Sequence, residues 1–297
     1  MISNAMQSRM ERWMEISTKL GVCSWSLQTQ SPSALAQAIK QCGLNATQLA
    51  LDPLIDGDWD LTELVAVFKE HQIELLSGMI TTIGEDYSTL DSIKATGGLR
   101  PDEHWDENQS RAKRAADIAK ELGIDLVTLH AGFIPAHGTD EYHTITDRIR
   151  IIAGIFGTHR ITLALETGQE QSDDLLNMLN KPNMSTIGIN FDPANMILYA
   201  MGDPAQAIEL LQDRIVQVHM KDAKSTEKSG TWGAEVPAGE GEVDWAHFFK
   251  TIEQIDHRNE RQINVIIERE AGEQRIDDII QARKLVEQYV HNRVDRK

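Results

Sequence analysis

The sequence predicts an α/β chain folded as a single closed (β/α)₈ barrel. From Leu20 onward, short runs of β-branched and large aliphatic residues alternate with longer segments whose apolar positions recur at helical spacing, the pattern of parallel βαβ units. Eight such pairs occupy residues 20–297, the number that closes a barrel. A competing open sheet that binds dinucleotides would carry a G-x-G-x-x-G turn after its first strand, and Gly21-Val22-Cys23-Ser24-Trp25-Ser26 supplies none.

The strands are expected at 20–27, 46–51, 73–80, 126–130, 161–166, 186–192, 215–219 and 264–268. Between them Ala112, Ala115, Ala116, Ala119 and Leu122 fall on one helical face, as do Trp245, Phe248, Phe249, Ile252 and Ile255. Ser31-Pro32 and Asp203-Pro204 read as a capping residue followed by a first-turn proline, and Gly43 and Gly123 as helix stops. A final helix near 276–290 completes the set. The connections 81–107 and 221–243, after strands three and seven, are long and leave the strands at their C-terminal ends, where barrel enzymes hold substrate; both are candidate lids. Residues 1–19 form an N-terminal extension in which Ser3-Asn4-Ala5 ahead of Met6 resembles the remnant of a cleaved expression tag, so the domain is expected to run 20–297.

With 46 acidic against 29 basic residues, the net charge of −17 argues against tracking a phosphate backbone, and no nucleic-acid partner is expected. The two cysteines, Cys23 and Cys42, lack the spacing of a structural zinc site or a disulfide framework, which fits a reducing cytoplasm. No apolar run approaches the roughly 20 residues that cross a bilayer, so a soluble cytoplasmic protein without a membrane partner is expected. A homo-oligomer stays open.

The chemistry gathers at four strand ends. The apolar run 161–166 ends in Glu166, 187–192 in Asp192, 215–219 in His219 and 265–268 in Glu268. In a closed parallel barrel these consecutive strand ends surround one mouth, so side chains dozens of residues apart can converge. Three carboxylates brought together repel one another, and a divalent cation turns that repulsion into coordination. Three carboxylates and one imidazole suit Mn²⁺, Mg²⁺, Co²⁺ or Zn²⁺ without choosing among them. The alternative is that these carboxylates pair with barrel cations such as Lys221 or Arg269.

In Thr128-Leu129-His130-Ala131-Gly132, Leu165-Glu166-Thr167, Asn190-Phe191-Asp192-Pro193-Ala194-Asn195, Val216-Gln217-Val218-His219-Met220-Lys221-Asp222, residues 236–245 and Ile267-Glu268, the chain resembles the xylose-isomerase-like TIM-barrel superfamily of sugar isomerases, epimerases, dehydratases and AP endonucleases. The resemblance implies that Glu166, Asp192, His219 and Glu268 ligate one divalent metal. It also implies that Glu166 and Glu268 are catalytic, exchanging protons on opposite faces of a bound ketose or keto-polyol through a metal-stabilised enediolate.

Two departures narrow the choice within that superfamily. The endonuclease branch needs further histidines, one at position 195 and another in the loop after strand seven; this chain has Asn195, and 221–243 contains no histidine. The ketose 3-epimerase branch expects a histidine at 195 and an arginine at 225, where this chain has Asn195 and Ser225. An amide can hydrogen-bond a hydroxyl but cannot shuttle a proton, so a dehydratase or lyase acting on a keto-sugar or inosose is the alternative activity. A non-catalytic sugar-binding barrel is a further one. A small-molecule carbohydrate is the expected partner, with His130, Asn195, Lys221, Trp25 and Trp232 as its contacts. Each has a structural alternative: His130 as a core histidine, Lys221 as the partner of Asp192 or Asp222, the tryptophans as packing. The turn 239–242 leads into Asp244, a candidate helix cap.

Overall fold

A computed structural model describes residues 19–228, 230–259 and 262–294; most of the N-terminal extension, including 3–5, lies outside the described residues. Eight parallel strands close on themselves: β1 (Leu20–Cys23), β2 (Ala46–Ala50), β3 (Glu74–Met79), β4 (Leu126–Leu129), β5 (Thr162–Glu166), β6 (Gly188–Phe191), β7 (Ile215–Met220) and a last strand, β10 (Asn264–Ile267). Each pairs with its neighbour in sequence, and β10 returns to β1 with Leu20 opposite Val265 and Val22 opposite Ile267. A two-stranded antiparallel ribbon, β8 (Asp222–Lys224) and β9 (Ala234–Val236), stands in the connection after β7.

The helices are α1 (Pro32–Gln41), α2 (Asp52–Ile55), α3 (Leu61–Glu70), α4 (Leu90–Thr96), α5 (Trp105–Glu121), α6 (Asp140–Gly157), α7 (Ser172–Leu179), α8 (Pro193–Leu198), α9 (Pro204–Leu211), α10 (Trp245–Asn259) and α11 (Arg275–Val294). The longer ones pack an apolar stripe on the outer face of the barrel. On α5 the stripe is Ala112, Ala115, Ala116 and Ala119, all fully buried; such short side chains let the helix approach the strands closely. On α10 it is Trp245, Phe248, Phe249, Ile252 and Ile255. Local signals act as their chemistry dictates. Ser31 Oγ accepts the Ala34 amide and Asp203 Oδ1 that of Ala205, each ahead of a first-turn proline. Asp244 Oδ1 accepts the His247 amide at the start of α10. Gly43 and Gly123 follow their helices at φ of 72° and 71°, which other residues adopt only with strain. Among the described residues, no helix is long and apolar enough to cross a membrane.

Two stretches differ from the sequence expectation. The first strand stops at Cys23, and Ser24–Leu27 form a single 3₁₀ turn. The cause is a pair of serines: Ser24 Oγ accepts the Ala50 amide and Ser26 Oγ the Arg269 amide, so side chains take the neighbours that a continuing ladder would have bonded. In the connection after β3, the final residues of 81–107 already belong to α5, and α4 sits within it, its first turn closed by a reciprocal Thr89–Ser92 cap.

The lumen is polar in its middle layer. Ser77 Oγ donates to Gln217 Oε1 at 2.7 Å and Gln48 Nε2 to Thr128 Oγ1 at 2.8 Å, so buried hydroxyls and amides satisfy one another beneath the mouth.

Candidate metal centre

Strand periodicity aims the ligands. Side chains two residues apart share a face, so Gln217 and His219 of β7, with Lys221 just beyond, look inward together. The pairing Ile266–His219 sets β10 so that Glu268, two residues past Ile266, meets the same level, its amide bonded to the Met220 carbonyl. Across β5 and β6, Glu166 lies opposite Asn190, and Asp192 follows two residues later as the N-cap of α8. Phe191 and Ile267 face the outer core, which is why a carboxylate directly after each points the other way.

The four side chains converge. His219 Nδ1 lies 3.3 Å from Glu166 Oε1, 3.7 Å from Asp192 Oδ2 and 3.4 Å from Glu268 Oε2, and each residue is at most 4% exposed. Ligand atoms on a tetrahedron with bonds of about 2.1 Å are about 3.4 Å apart, so these separations fit a single ion. Asp192 Oδ2 and His219 Nδ1 are buried and meet no hydrogen-bond partner of proper geometry. Among the described residues this set is one of two that could hold an ion; the other, Cys23, His219 and Glu268, shares two members with it.

Neighbouring groups orient each ligand. Gln48 Oε1 sits 2.7 Å from His219 Nε2, and the Gln48 amide nitrogen faces the Gly78 carbonyl and Thr128 Oγ1. The oxygen of Gln48 can only accept, so Nε2 carries a proton and Nδ1 is the nitrogen turned toward the carboxylates, available as a ligand once its own proton is displaced by an ion. Glu166 receives Asn195 Nδ2 on one oxygen at 3.0 Å and Asn190 Nδ2 on the other at 3.1 Å. Glu268 receives Trp25 Nε1 at 2.8 Å and Lys221 Nζ at 2.9 Å. Asp192 Oδ1 takes the Asn195 amide, which leaves Oδ2 free to face the centre.

Electrostatics bears on what the centre could hold. Burial pushes the Glu166 carboxyl up, but His219 and His130 outweigh it and hold it below the usual carboxylate range. Burial likewise opposes charge on Glu268, and Lys221 with His219 holds it well below that range. At Asp192 burial dominates and the carboxyl is pushed up to about 6. Burial disfavours an imidazolium at His219, yet Glu166 and its neighbours hold that ring well above its ordinary value. Without an ion, a proton on one imidazole must offset three buried carboxylates; a divalent cation supplies that charge with better geometry. The residues present fit such an ion.

Above the centre opens a cavity of about 410 Å³ that contains all five expected sugar contacts: Trp25, His130, Asn195, Lys221 and Trp232. His130 Nε2 is 3.4 Å from Glu166 Oε1, at the mouth and not in the core. Lys221 pairs with Glu268 and Glu270 and donates to Asn195 Oδ1, so its partners are not Asp192 or Asp222. Asp222 instead accepts the amides of Gly239, Gly241 and Val243 and the indole N–H of Trp245, which ties the turn at 239–242 to the ribbon. Arg269 engages Glu235 and Asp278 and touches none of the four ligands. Trp232, between β8 and β9, packs edge-on against Tyr199 at 4.9 Å. A separate surface recess of about 520 Å³ beside α11 contains none of the strand-end residues.

The sequence reading missed Gln48, Asn190 and Glu270. A signal existed: Gln48 and Asn190 are amides inside otherwise apolar strands, where a buried amide needs partners, and Glu270 repeats the two-residue spacing from Glu268.

Over 265 residues the chain is 33% identical to a candidate L-ribulose-5-phosphate 3-epimerase of Escherichia coli K12, covering 84% of this chain and 87% of that one. It is 31% identical over 124 residues to 3-oxo-isoapionate decarboxylase of Pectobacterium atrosepticum, a match that covers 40% of this chain and spans 43% of the decarboxylase. The crystal structure of a xylose isomerase domain protein from Planctomyces limnophilus shares the fold at a TM-score of 0.77 and 26% identity, covering 85% of this chain and 91% of that one. The family description "Xylose isomerase-like TIM barrel" matches residues 36–289. By that match over most of its length, together with the closed barrel, the chain belongs to the xylose isomerase-like TIM-barrel family.

Proposed function

We propose that the protein is a divalent-metal-dependent sugar isomerase or epimerase that moves a proton at a carbon beside the carbonyl of a ketose or related keto-polyol. The observation that carries this reading is the placement of two glutamates, Glu166 and Glu268, against one imidazole nitrogen, with Glu268 also lining a sugar-sized cavity. A bound ion, held by these two with Asp192 and His219, would supply Lewis acidity that makes a C–H next to the substrate carbonyl acidic.

The protein's own groups do the rest. Lys221 keeps Glu268 ionised and ready to accept a proton, while Glu166, beside His130, serves as the second proton-exchanging carboxylate. Trp25 fixes Glu268 through its indole N–H, and the Trp25 and Trp232 rings offer flat apolar walls to a sugar's C–H faces. His130 and Asn195 would contact hydroxyls, while Lys221 holds Glu268 and Asn195 in position. The amide of Asn195 supports hydrogen bonding but not proton relay, which leaves the exchange to the carboxylates.

The test is solvent exchange. With ketoses, inososes and keto-sugars in D₂O, deuterium is expected to enter a C–H bond, and Glu268→Gln should slow this by orders of magnitude with an unchanged circular dichroism spectrum. Unchanged exchange in that variant refutes the proton-transfer role, and no exchange with any sugar leaves the binding-only barrel.

A lyase acting on a keto-sugar is the second reading, favoured by the partial match to a decarboxylase. The same proton chemistry would then be followed by loss of a substituent, and product analysis separates the two.

A further inference from the structure

We infer that the cavity takes an uncharged keto-sugar and turns away phosphate esters, an inference that rests on the isomerase or epimerase reading and narrows its substrate. A phosphate dianion is held by free N–H donors: an arginine fork, a lysine ammonium or an open helix N-terminus. Among the described residues, Lys221 is the only lysine or arginine that lines the cavity. An ammonium has three N–H bonds, and all are engaged, with Glu270 Oε2 at 2.5 Å, Glu268 Oε2 at 2.9 Å and Asn195 Oδ1 at 3.2 Å.

The guanidinium groups nearby already hold protein partners. Arg111 is bound to Asp52 and Asp56, and Arg269 to Glu235 and Asp278. Arg148 binds Asp102 and the carbonyls of Leu99 and Arg100, and Arg100 donates to the Phe133 carbonyl. Of the helix starts at this end, α4 is closed by Thr89 and Ser92 and α8 by the carboxylate of Asp192, while α2 and α7 have no side-chain cap but carry acidic first turns, Asp52 on α2 and Asp173 with Asp174 on α7.

Charge balance points the same way. Asp52 and Glu235 are matched by Arg111 and Arg269, which leaves Glu85, Glu268 and Glu270 on the walls, with Glu166 and Asp192 clustered behind Glu268. Lys221 and the two charges of an ion do not cancel these five carboxylates. The field at the mouth is therefore repulsive to a dianion and indifferent to a neutral sugar. What the walls offer instead are hydrogen-bonding groups for hydroxyls, Thr81, Thr82 and His130, beside the faces of Trp25 and Trp232.

The experiment uses the metal-loaded full chain and two matched pairs: L-ribulose with its 5-phosphate, and D-fructose with its 6-phosphate. Binding is read by tryptophan fluorescence, since two tryptophans line the cavity, and turnover by deuterium exchange. Each phosphate ester is expected to bind on the order of 100-fold more weakly than its free ketose. Glu270→Gln, which removes one of these negative charges and weakens the hold on Lys221, should narrow that gap about tenfold. Equal or tighter binding of the esters overturns the inference, and so does a gap that Glu270→Gln leaves unchanged. If the free ketoses bind preferentially but exchange no deuterium, the isomerase reading fails while the charge selection stands.

Discussion

Replacing Gln48 by leucine isolates the orientation of the imidazole from the ligand set itself. Gln48 is fully buried on β2, and its oxygen lies 2.7 Å from His219 Nε2. Leucine is close to glutamine in size, so the packing change is small, but the imidazole N–H then has no acceptor at that point. Leaving a buried donor unsatisfied costs about 1–3 kcal/mol. The ring can relieve this by turning, or by moving its proton to Nδ1, and either change removes the lone pair from the carboxylates. Loss of such a supporting contact lowers metal affinity by about 10–100-fold, equivalent to about 1.4–2.7 kcal/mol. Isothermal titration of the metal-free protein with Mn²⁺ or Zn²⁺ reads this directly. Thr128→Val is the control, because it removes only the outer partner of the same amide, 2.8 Å from Gln48 Nε2, and should weaken binding less than tenfold. Wild-type affinity in Gln48→Leu, with the fold intact, would refute the assignment of Nδ1 as a ligand held in place from across the barrel.

Two further outcomes follow from other parts of the molecule. Asp222→Ala removes a buried carboxylate that accepts four N–H groups from the segment 239–245, and should destabilise the protein by about 3–5 kcal/mol in urea unfolding; a loss below about 1 kcal/mol contradicts the organising role of Asp222. Burial raises the Glu170 carboxyl from 4.5 to about 8, so the folded state holds a proton there that the unfolded state releases. Stability should fall as pH rises from 4.5 to about 8 and level off above, by an amount on the order of 5 kcal/mol at most. Glu170→Gln should flatten that slope, and an unchanged slope in the variant rules Glu170 out as its source.

The order of strands, the helix faces and the strand-end positions of Glu166, Asp192, His219 and Glu268 were legible in the chain because each rests on a local period. An apolar run with two-residue alternation states which side chains share a face, and a charge at its end states where the strand meets the mouth. Caps such as Ser31 and Asp203 are equally local, since donor and acceptor lie within one turn. The serines that end β1 early were not legible, because the amides they satisfy belong to Ala50 and Arg269 on other elements.

What only the tertiary structure decided is which distant groups hold the ligands. Gln48 reaches His219 across 171 positions, and Trp25 reaches Glu268 across 243. Lys221 settles on Glu268 and Glu270 and leaves its sequence neighbour Asp222 to bind backbone amides. These partnerships depend on the stagger between strands when the barrel closes. That stagger comes from packing the whole helical layer around the sheet, and no single segment contains it. The sequence could therefore name the four residues at the mouth, while the closed barrel determined how each is turned and what charge surrounds it.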